Sequence, residues 1–317
     1  MTTNLTEPMA ANAVAEITLA GGALGFNWLP VFVAERSGMF ARRNLKVGLK
    51  RMGSVDKATA AVRSGEADLA ITPPEGAVSD FVSGGELRII AGNVSRLPLS
   101  LVANPRLRRI EDLKGCVLGT SSLTEGTSIY TREILSQHGL NYPDDYDFAA
   151  VGVHPARWQA LQEGRIDAAV QLIPLNFVAF DAGYTNLGEA SDYIPEIVFT
   201  AMIGRAGWLE ANRSKVAALI DALREATATL YDSAGDDALL PIIMETTQSD
   251  RAYAQRSLDY LRQKSVFDPT LTIPPAALSK TLELMVKAGL LALAGTEGAR
   301  AVFDASFVQS SSGTAGA

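Results

Sequence analysis

Apolar residues in the first two thirds of the chain fall into short runs, and each run is followed by a stretch whose apolar positions recur at helical spacing. Residues 17–20 read as a strand that stops at Gly21 and Gly22, and residues 26–37 read as a helix closed by Gly38. "LKVGLKRM" alternates as a strand and ends at Gly53 and Ser54. Residues 56–64 read as a helix stopped by Gly65, and "DLAIT" is the next strand, which Pro73 and Pro74 cannot continue. A helix over 77–82 and a strand "LRIIAG" follow. The alternation starts again after "NPRLRRIEDLKG". There "CVLGTS" is a strand, 124–138 a helix closed by Gly139, and "FAAVGV" a strand. A helix over 156–163 is stopped by Gly164, and "DAAVQLI" is a strand ending at Pro174. Strand–helix alternation of this kind predicts an α/β protein with parallel or mixed sheets covered by helices.

From Trp208 onward the pattern turns helical, with Val216, Leu219, Ile220, Leu223 and Leu230 on one face and Pro275 opening a later helix. Residues 1–16 and 311–317 read as flexible tails.

One phrase occurs twice. "VRSGEADLAIT" (62–72) and "LQEGRIDAAVQ" (161–171) both run helix, Gly, Asp, strand. Gly65 and Gly164 suit the positive φ of a helix end, and Asp68 and Asp167 suit a turn that bonds nearby backbone amides. The reading is structural: equivalent corners in two halves. Ligands of open α/β sheets sit outside the carboxyl ends of the strands. Chemistry is therefore expected just downstream, in "ITPPEG" and "VQLIPLN".

The 317 residues are 47% hydrophobic and 20% charged, with a net charge of −7. Length allows about two domains. The acidic balance argues against a nucleic-acid partner. Cys116 is the single cysteine, so no intrachain disulfide can form. His138 and His154 are far apart, and no metal-ligand cluster or cofactor motif shows. No run approaches the ~18 apolar residues of a transmembrane helix. The N-terminus lacks the basic and apolar regions of a secretory signal, so either a cytoplasmic protein or an exported one whose signal was removed fits the chain as given.

"NWLPVFVAERSGMFARRNLKVGLKRMGS", "AAVRSGEADLAITPPEG", "IEDLKGCVLGTSSLTEGTSIYTREILSQHGL" and "WQALQEGRIDAAVQLIPLNFVAFDAG" together resemble the solute-binding proteins of nitrate, sulfonate and taurine ABC importers, a group that includes thiamine-pyrimidine-precursor proteins. The resemblance spans about residues 17–190. It implies a two-lobe type II periplasmic-binding-protein fold with a ligand cleft between lobes and a helical C-terminal part. Residues 17–98 plus 200–310 would form lobe 1 and 99–199 lobe 2, with hinges near "RLPLSLVANP" and "EIVFTAMIG". It further implies a monomer, a small organic ligand, an ABC permease as partner and a periplasmic or extracellular location. The desulfinases of this fold carry a catalytic Cys after the first strand, where this chain has "GGALGFN".

Candidate ligand contacts lie in the loops after the strands. "GTSSLTEGTS" offers Ser121, Ser122, Thr124 and Thr127 at a helix start, where free N–H groups attract a carboxylate or sulfonate. Ser122 and Glu125 also fit a capping box. Phe26, Asn27 and Trp28 follow the first strand and either cover an apolar ligand body or pack a helix start. Ser54 either caps the next helix or touches ligand. Thr72 and Glu75 follow the third strand, and Glu75 suits a ligand with a donor or positive group. Asn93 precedes the first hinge, His154 opens a helix, and Gln171 and Asn176 flank Pro174. Two functions compete. The first is a non-catalytic receptor for an anionic or heterocyclic solute. The second is a cytoplasmic decarboxylase or other lyase on the same fold, with Glu75 and His154 as acid and base.

Overall fold

Two five-stranded mixed sheets, each wrapped by helices, organise the computed structural model, which describes residues 14–309 apart from Glu125. Residues 1–13 and 311–317 of the expected tails, and the Glu125 half of the expected capping box, fall outside the described residues. Ala15 and Glu16 do not belong to a tail. They pair with Leu45 and Lys46 at the start of the first strand, because the alternation begins two residues earlier than its apolar run suggests.

The strands are β1 (Ala15–Gly21), β2 (Leu45–Arg51), β3 (Leu69–Thr72), β4 (Leu87–Val94), β5 (Leu99–Ala103), β6 (Val117–Thr120), β7 (Asp147–Ala150), β8 (Ala168–Leu172), β9 (Thr185–Glu189) and β10 (Thr200–Arg205). The first sheet runs β2-β1-β3-β10-β4 and the second β7-β6-β8-β5-β9. Both follow one scheme. Three parallel strands are followed by an antiparallel strand that bridges to a fourth. In each sheet the bridging strand, β10 or β5, lies next to a crossing between sheets. The chain crosses at 95–98 and returns over 190–199. The stretches read as hinges thus contain β5 (LSLVA), which is fully buried, and most of β10 (TAMIGR), which is buried up to Arg205, and both make central strands.

The helices are α1 (Leu29–Arg36), α2 (Val55–Ser64), α3 (Glu75–Val82), α4 (Thr127–Ser136), α5 (His154–Gln162), α6 (Leu175–Asp181), α7 (Ala190–Tyr193), α8 (Ala206–Ala211), α9 (Arg213–Thr229), α10 (Asp236–Thr247), α11 (Arg251–Gln263), α12 (Pro275–Lys287), α13 (Thr296–Ala299) and α14 (Ser306–Gln309). The helical stripe of α9 is buried as expected, with Val216, Leu219, Ile220 and Leu223 nearly inaccessible. Helix α4 starts three residues later than expected. Gly126 before it has φ 64°, in the left-handed range that favours glycine, and residues 121–124 lie outside the helix. The predicted helix from Phe26 is a single 3-10 turn (Phe26–Trp28) that hands over to α1, with Pro30 in the first turn.

The repeated phrase builds matching corners. Asp68 donates its N–H to the Thr18 carbonyl (3.1 Å) and its carboxylate accepts the Thr18 N–H (2.7 Å). Asp167 does the same with Val117, at 2.8 and 2.9 Å. In each half the aspartate locks the start of the third strand to the first, 50 residues earlier.

Candidate ligand-binding site

The parallel strands of both sheets aim their carboxyl ends at one cleft of about 570 Å³, mouth included. The first sheet supplies Asn27 and Trp28 after β1, Val55 after β2, and Thr72 and Pro73 after β3. The second supplies Ser121 and Thr127 after β6, and His154 and Arg157 after β7. Leu99, Phe199 and Thr200 come from the crossings. This is where the topology of open α/β sheets puts ligands.

Of the residues singled out in the sequence, the structure brings Asn27, Trp28, Thr72, Ser121, Thr127 and His154 to the cleft wall. Trp28 is 2% exposed, with its indole packed against Gly21 at the end of β1. A methyl group on Gly21 would collide with that ring, so glycine is what permits the approach. Thr127 gathers the loop after β6. Its hydroxyl accepts the Ser121 N–H (3.2 Å) and bonds the hydroxyls of Thr120 (2.9 Å) and Ser121 (3.2 Å).

The other expected contacts are used elsewhere. Phe26 stacks on Phe267 with centroids 5.5 Å apart. Ser54 caps α2 by accepting the Lys57 N–H (3.2 Å). Asn93 stands behind the wall, donating to the Asn27 carbonyl (2.8 Å) and the Thr200 hydroxyl (2.9 Å). Ser122 reaches across to the Asp56 carboxylate (3.0 Å) and accepts the Thr124 N–H, while Thr124 is exposed. Gln171 is fully buried, and its amide, oriented to satisfy both groups, meets the Trp158 N–H and the His154 carbonyl at the start of α5. Asn176 donates to Ser100 (2.8 Å), which donates to Glu189 (2.8 Å), which accepts from Tyr260 (3.0 Å). These side chains hold the walls and do not form them.

Glu75, expected as a ligand contact, is not part of the wall. It is 1% exposed and accepts the Tyr130 hydroxyl from α4 (3.3 Å), a bond between the two halves. Burial pushes its carboxyl up to about 7, against the pull of backbone amides and Tyr130. His154 sits on the opposite half against Gly25, where an added methyl would meet Nε2 at 3.0 Å. Burial, then Arg157 and Arg51, lower it to about 3, so it is neutral at physiological pH. The expected acid–base pair is therefore split: His154 lines the cleft and Glu75 lies outside its lining.

These two groups oppose each other in acid. The unfolded chain protonates His154 near 6.5 while the fold resists to about 3. The stability gained by keeping it neutral is present above pH 6.5 and lost as pH falls. Glu75 contributes in full below 4.5, and that contribution is lost as pH rises through 7. In urea unfolding from pH 5 to 7.5, His154→Gln is expected to lose less stability than wild type toward pH 5, and Glu75→Gln less toward pH 7.5. Parallel curves for all three proteins would refute both assignments.

Of the lining residues that sequence reasoning missed, the charged one is Arg157. It is 3% exposed, lines the cleft from α5, and donates Nε to the Val170 carbonyl (3.0 Å) and Nη1 to the Gly152 carbonyl (3.2 Å). Among the described residues no carboxylate pairs with it. Burial lowers it to about 10, which leaves it charged at neutral pH. A buried cation whose described bonds go to two carbonyls, on the same lining as Ser121 and Thr127, has the chemistry to meet an anion. Its signal in the sequence was an Arg on the same helical face as Leu161.

Two sheets joined by two crossings, with one cleft at their carboxyl ends, define a periplasmic-binding-protein fold. The chain belongs to the NMT1/THI5-like family, whose model matches residues 25–234. No curated protein matches it by sequence. Among solved structures it is similar to the alkanesulfonate-binding protein of Xanthomonas axonopodis pv. citri bound to MOPS, with 15% identity, 93% of this chain and 100% of that one covered, and a TM-score of 0.75. It is similar to a ligand-binding component of an ABC-type import system from Staphylococcus aureus, with 15% identity, 95% and 99% covered, and a TM-score of 0.77. A Candida albicans protein described as having the generic periplasmic binding protein fold matches at 14% identity, 92% and 96% covered, with a TM-score of 0.73. Among the described residues no group of His, Cys, Asp and Glu could hold a metal, and no helix is long and apolar enough to cross a membrane.

Proposed function

We propose that this protein is a non-catalytic receptor that closes two lobes on a small organic anion, a carboxylate or sulfonate, and delivers it to the permease of an ABC importer in the periplasm. Residues 17–98 plus 200–310 make one lobe and 99–199 the other, turning on the crossings at 95–98 and 190–199. The observation that carries this reading is Arg157, a buried guanidinium on the cleft wall that bonds two carbonyls and, among the described residues, pairs with no carboxylate. Family membership and likeness to an alkanesulfonate-binding protein and an import-system component support it. Trp28 offers an apolar face to the ligand body, and neutral His154 offers a polar one without adding charge.

A panel of alkyl and aryl sulfonates, aromatic carboxylates and neutral pyrimidines, tested by thermal shift and then by calorimetry, checks the reading. Anionic members are expected to raise the melting temperature and to be recovered unchanged. Binding confined to neutral members, or release of product from a bound member, would sink it.

A further inference from the structure

Helix α4 follows the boundary between the two halves, and one face of it meets the first half or the returning crossing turn after turn. Gly126, Tyr130, Glu133 and Gln137 recur at helical spacing and share that face. A methyl group on Gly126 would come within 3.4 Å of Pro73. Tyr130 donates to Glu75 (3.3 Å), and Gln137 donates to the Tyr193 carbonyl on the crossing (3.4 Å). Between them stands Glu133, 7% exposed. It accepts Lys280 Nζ at 3.1 Å and Lys287 Nζ at 3.1 and 3.3 Å, both from α12. Glu283, on the same helix as the lysines, pairs with each of them at 3.0 Å. Thr281 of α12 accepts the Val198 N–H (3.1 Å), which ties that helix to the returning crossing as well.

None of these charged groups lines the cleft. Burial would raise the Glu133 carboxyl, yet Lys287 and Lys280 hold it below the usual carboxylate range. A buried carboxylate needs such partners, and both come from the opposite half. The lysines depend on Glu133 less. Lys287 is the more exposed of the two, and both keep Glu283 on their own helix. The bridge therefore acts where the halves meet more than within either. It is present together with the Asp56–Ser122 bond (3.0 Å) and the Glu75–Tyr130 bond, which also join the halves. All three belong to one arrangement, with the walls in contact.

We propose that Glu133 sets ligand affinity from outside the cleft, its bridge to Lys280 and Lys287 stabilising the closed pair of lobes. This rests on the two-lobe receptor reading above and adds a positioning residue that tunes it without touching ligand. The affinity of a receptor scales with the fraction of molecules in the binding-competent state. Loss of the bridge lowers affinity for every ligand by one factor, whereas loss of a wall residue acts according to what each ligand offers it.

Propane-1-sulfonate and benzoate, titrated into the full chain by calorimetry, are the probes. Glu133→Gln is expected to weaken both by the same factor, ~5-fold or more. It should also enlarge the radius of gyration of the ligand-free protein in small-angle X-ray scattering. Glu283→Gln removes a partner of the same lysines within one helix and should leave both affinities within about twofold. Lys280→Gln added to Glu133→Gln should cost no more than Glu133→Gln alone, because the bridge is already gone. Urea unfolding checks that each variant is folded. Unchanged or tighter binding in Glu133→Gln, weakening of one probe only, or an equal loss in Glu283→Gln overturns this inference and leaves the receptor standing. If neither probe binds the wild-type protein, that counts against the anion-receptor reading, and scattering alone decides the bridge: a larger radius for Glu133→Gln upholds it and equal radii overturn it.

Discussion

Arg157→Gln is expected to weaken anion binding by about 100-fold while leaving the unliganded protein as stable as before, or slightly more so. The guanidinium is buried on helix α5, and its described bonds go to two backbone carbonyls. Neutral acceptors return only part of the hydration that a cation loses on burial, and the empty cleft bears the difference. That cost is visible in the lowering of Arg157 to about 10. Glutamine is shorter and uncharged, and its amide can still serve one carbonyl. Replacing a poorly compensated buried charge is commonly neutral or stabilising. The liganded state is different. A charge-assisted contact between buried partners is worth about 2–5 kcal/mol when one partner is truncated. Lysine should recover part of the affinity, since it keeps the charge and loses the planar fork. Because the group is buried, the loss should persist when salt is raised, unlike that of a rim arginine. Titration calorimetry and urea unfolding on the same preparations separate the two effects. Affinity within threefold of wild type would remove Arg157 from the site.

Arg157 also shows where sequence reading stops. The order of β1–β4 and β6–β8 and of the helices between them was legible from Gly and Pro punctuation and helical periodicity, while β9 was not read. The location of the site was legible too, since strand-end loops are where such sheets bind. What could not be read was which loop residues face inward. Ser54, Asn93, Gln171 and Asn176 are all polar and all near strand ends, yet each is used up by a partner inside the scaffold. Apart from Ser54, whose cap on the Lys57 N–H is local, those partners lie up to 107 residues away, as Thr200 does from Asn93, so no local spacing signals them. Glu75 follows a strand end as a ligand contact would, but it is bonded to Tyr130 on α4 of the other half and lies outside the cleft lining. Leu99, Phe199 and Thr200 reach the cleft only because the crossings pass beside it, which is a property of the topology. The strands β5 and β10 were hidden for the same reason. Both are joined in sequence to one sheet and paired in space with the other.

Asp68→Ala and Asp167→Ala are each expected to destabilise the protein by about 2 kcal/mol without changing ligand affinity. Each carboxylate accepts a backbone N–H from the first strand of its sheet, Thr18 at 2.7 Å or Val117 at 2.9 Å. Hydrogen bonds to charged groups contribute about 1.5–3 kcal/mol, and alanine leaves a strand amide without its acceptor. The reverse bond, from the aspartate N–H to the strand carbonyl, belongs to the backbone and survives. Asp167 also pairs with Arg106, whose side chain is 60% exposed, so that partner adds little. Near-equal costs should therefore follow from two positions with different surroundings. Asparagine should cost less than alanine at both, because its amide oxygen can still accept. The double alanine variant should lose about the sum, since the corners belong to separate sheets and share no partner. Affinity should hold because both corners sit where the third strand begins, and the cleft lies where it ends. Urea unfolding and calorimetry read the two quantities. If either alanine variant lost ligand while keeping its stability, the twice-written phrase would belong to the binding site and not to the scaffold that presents it.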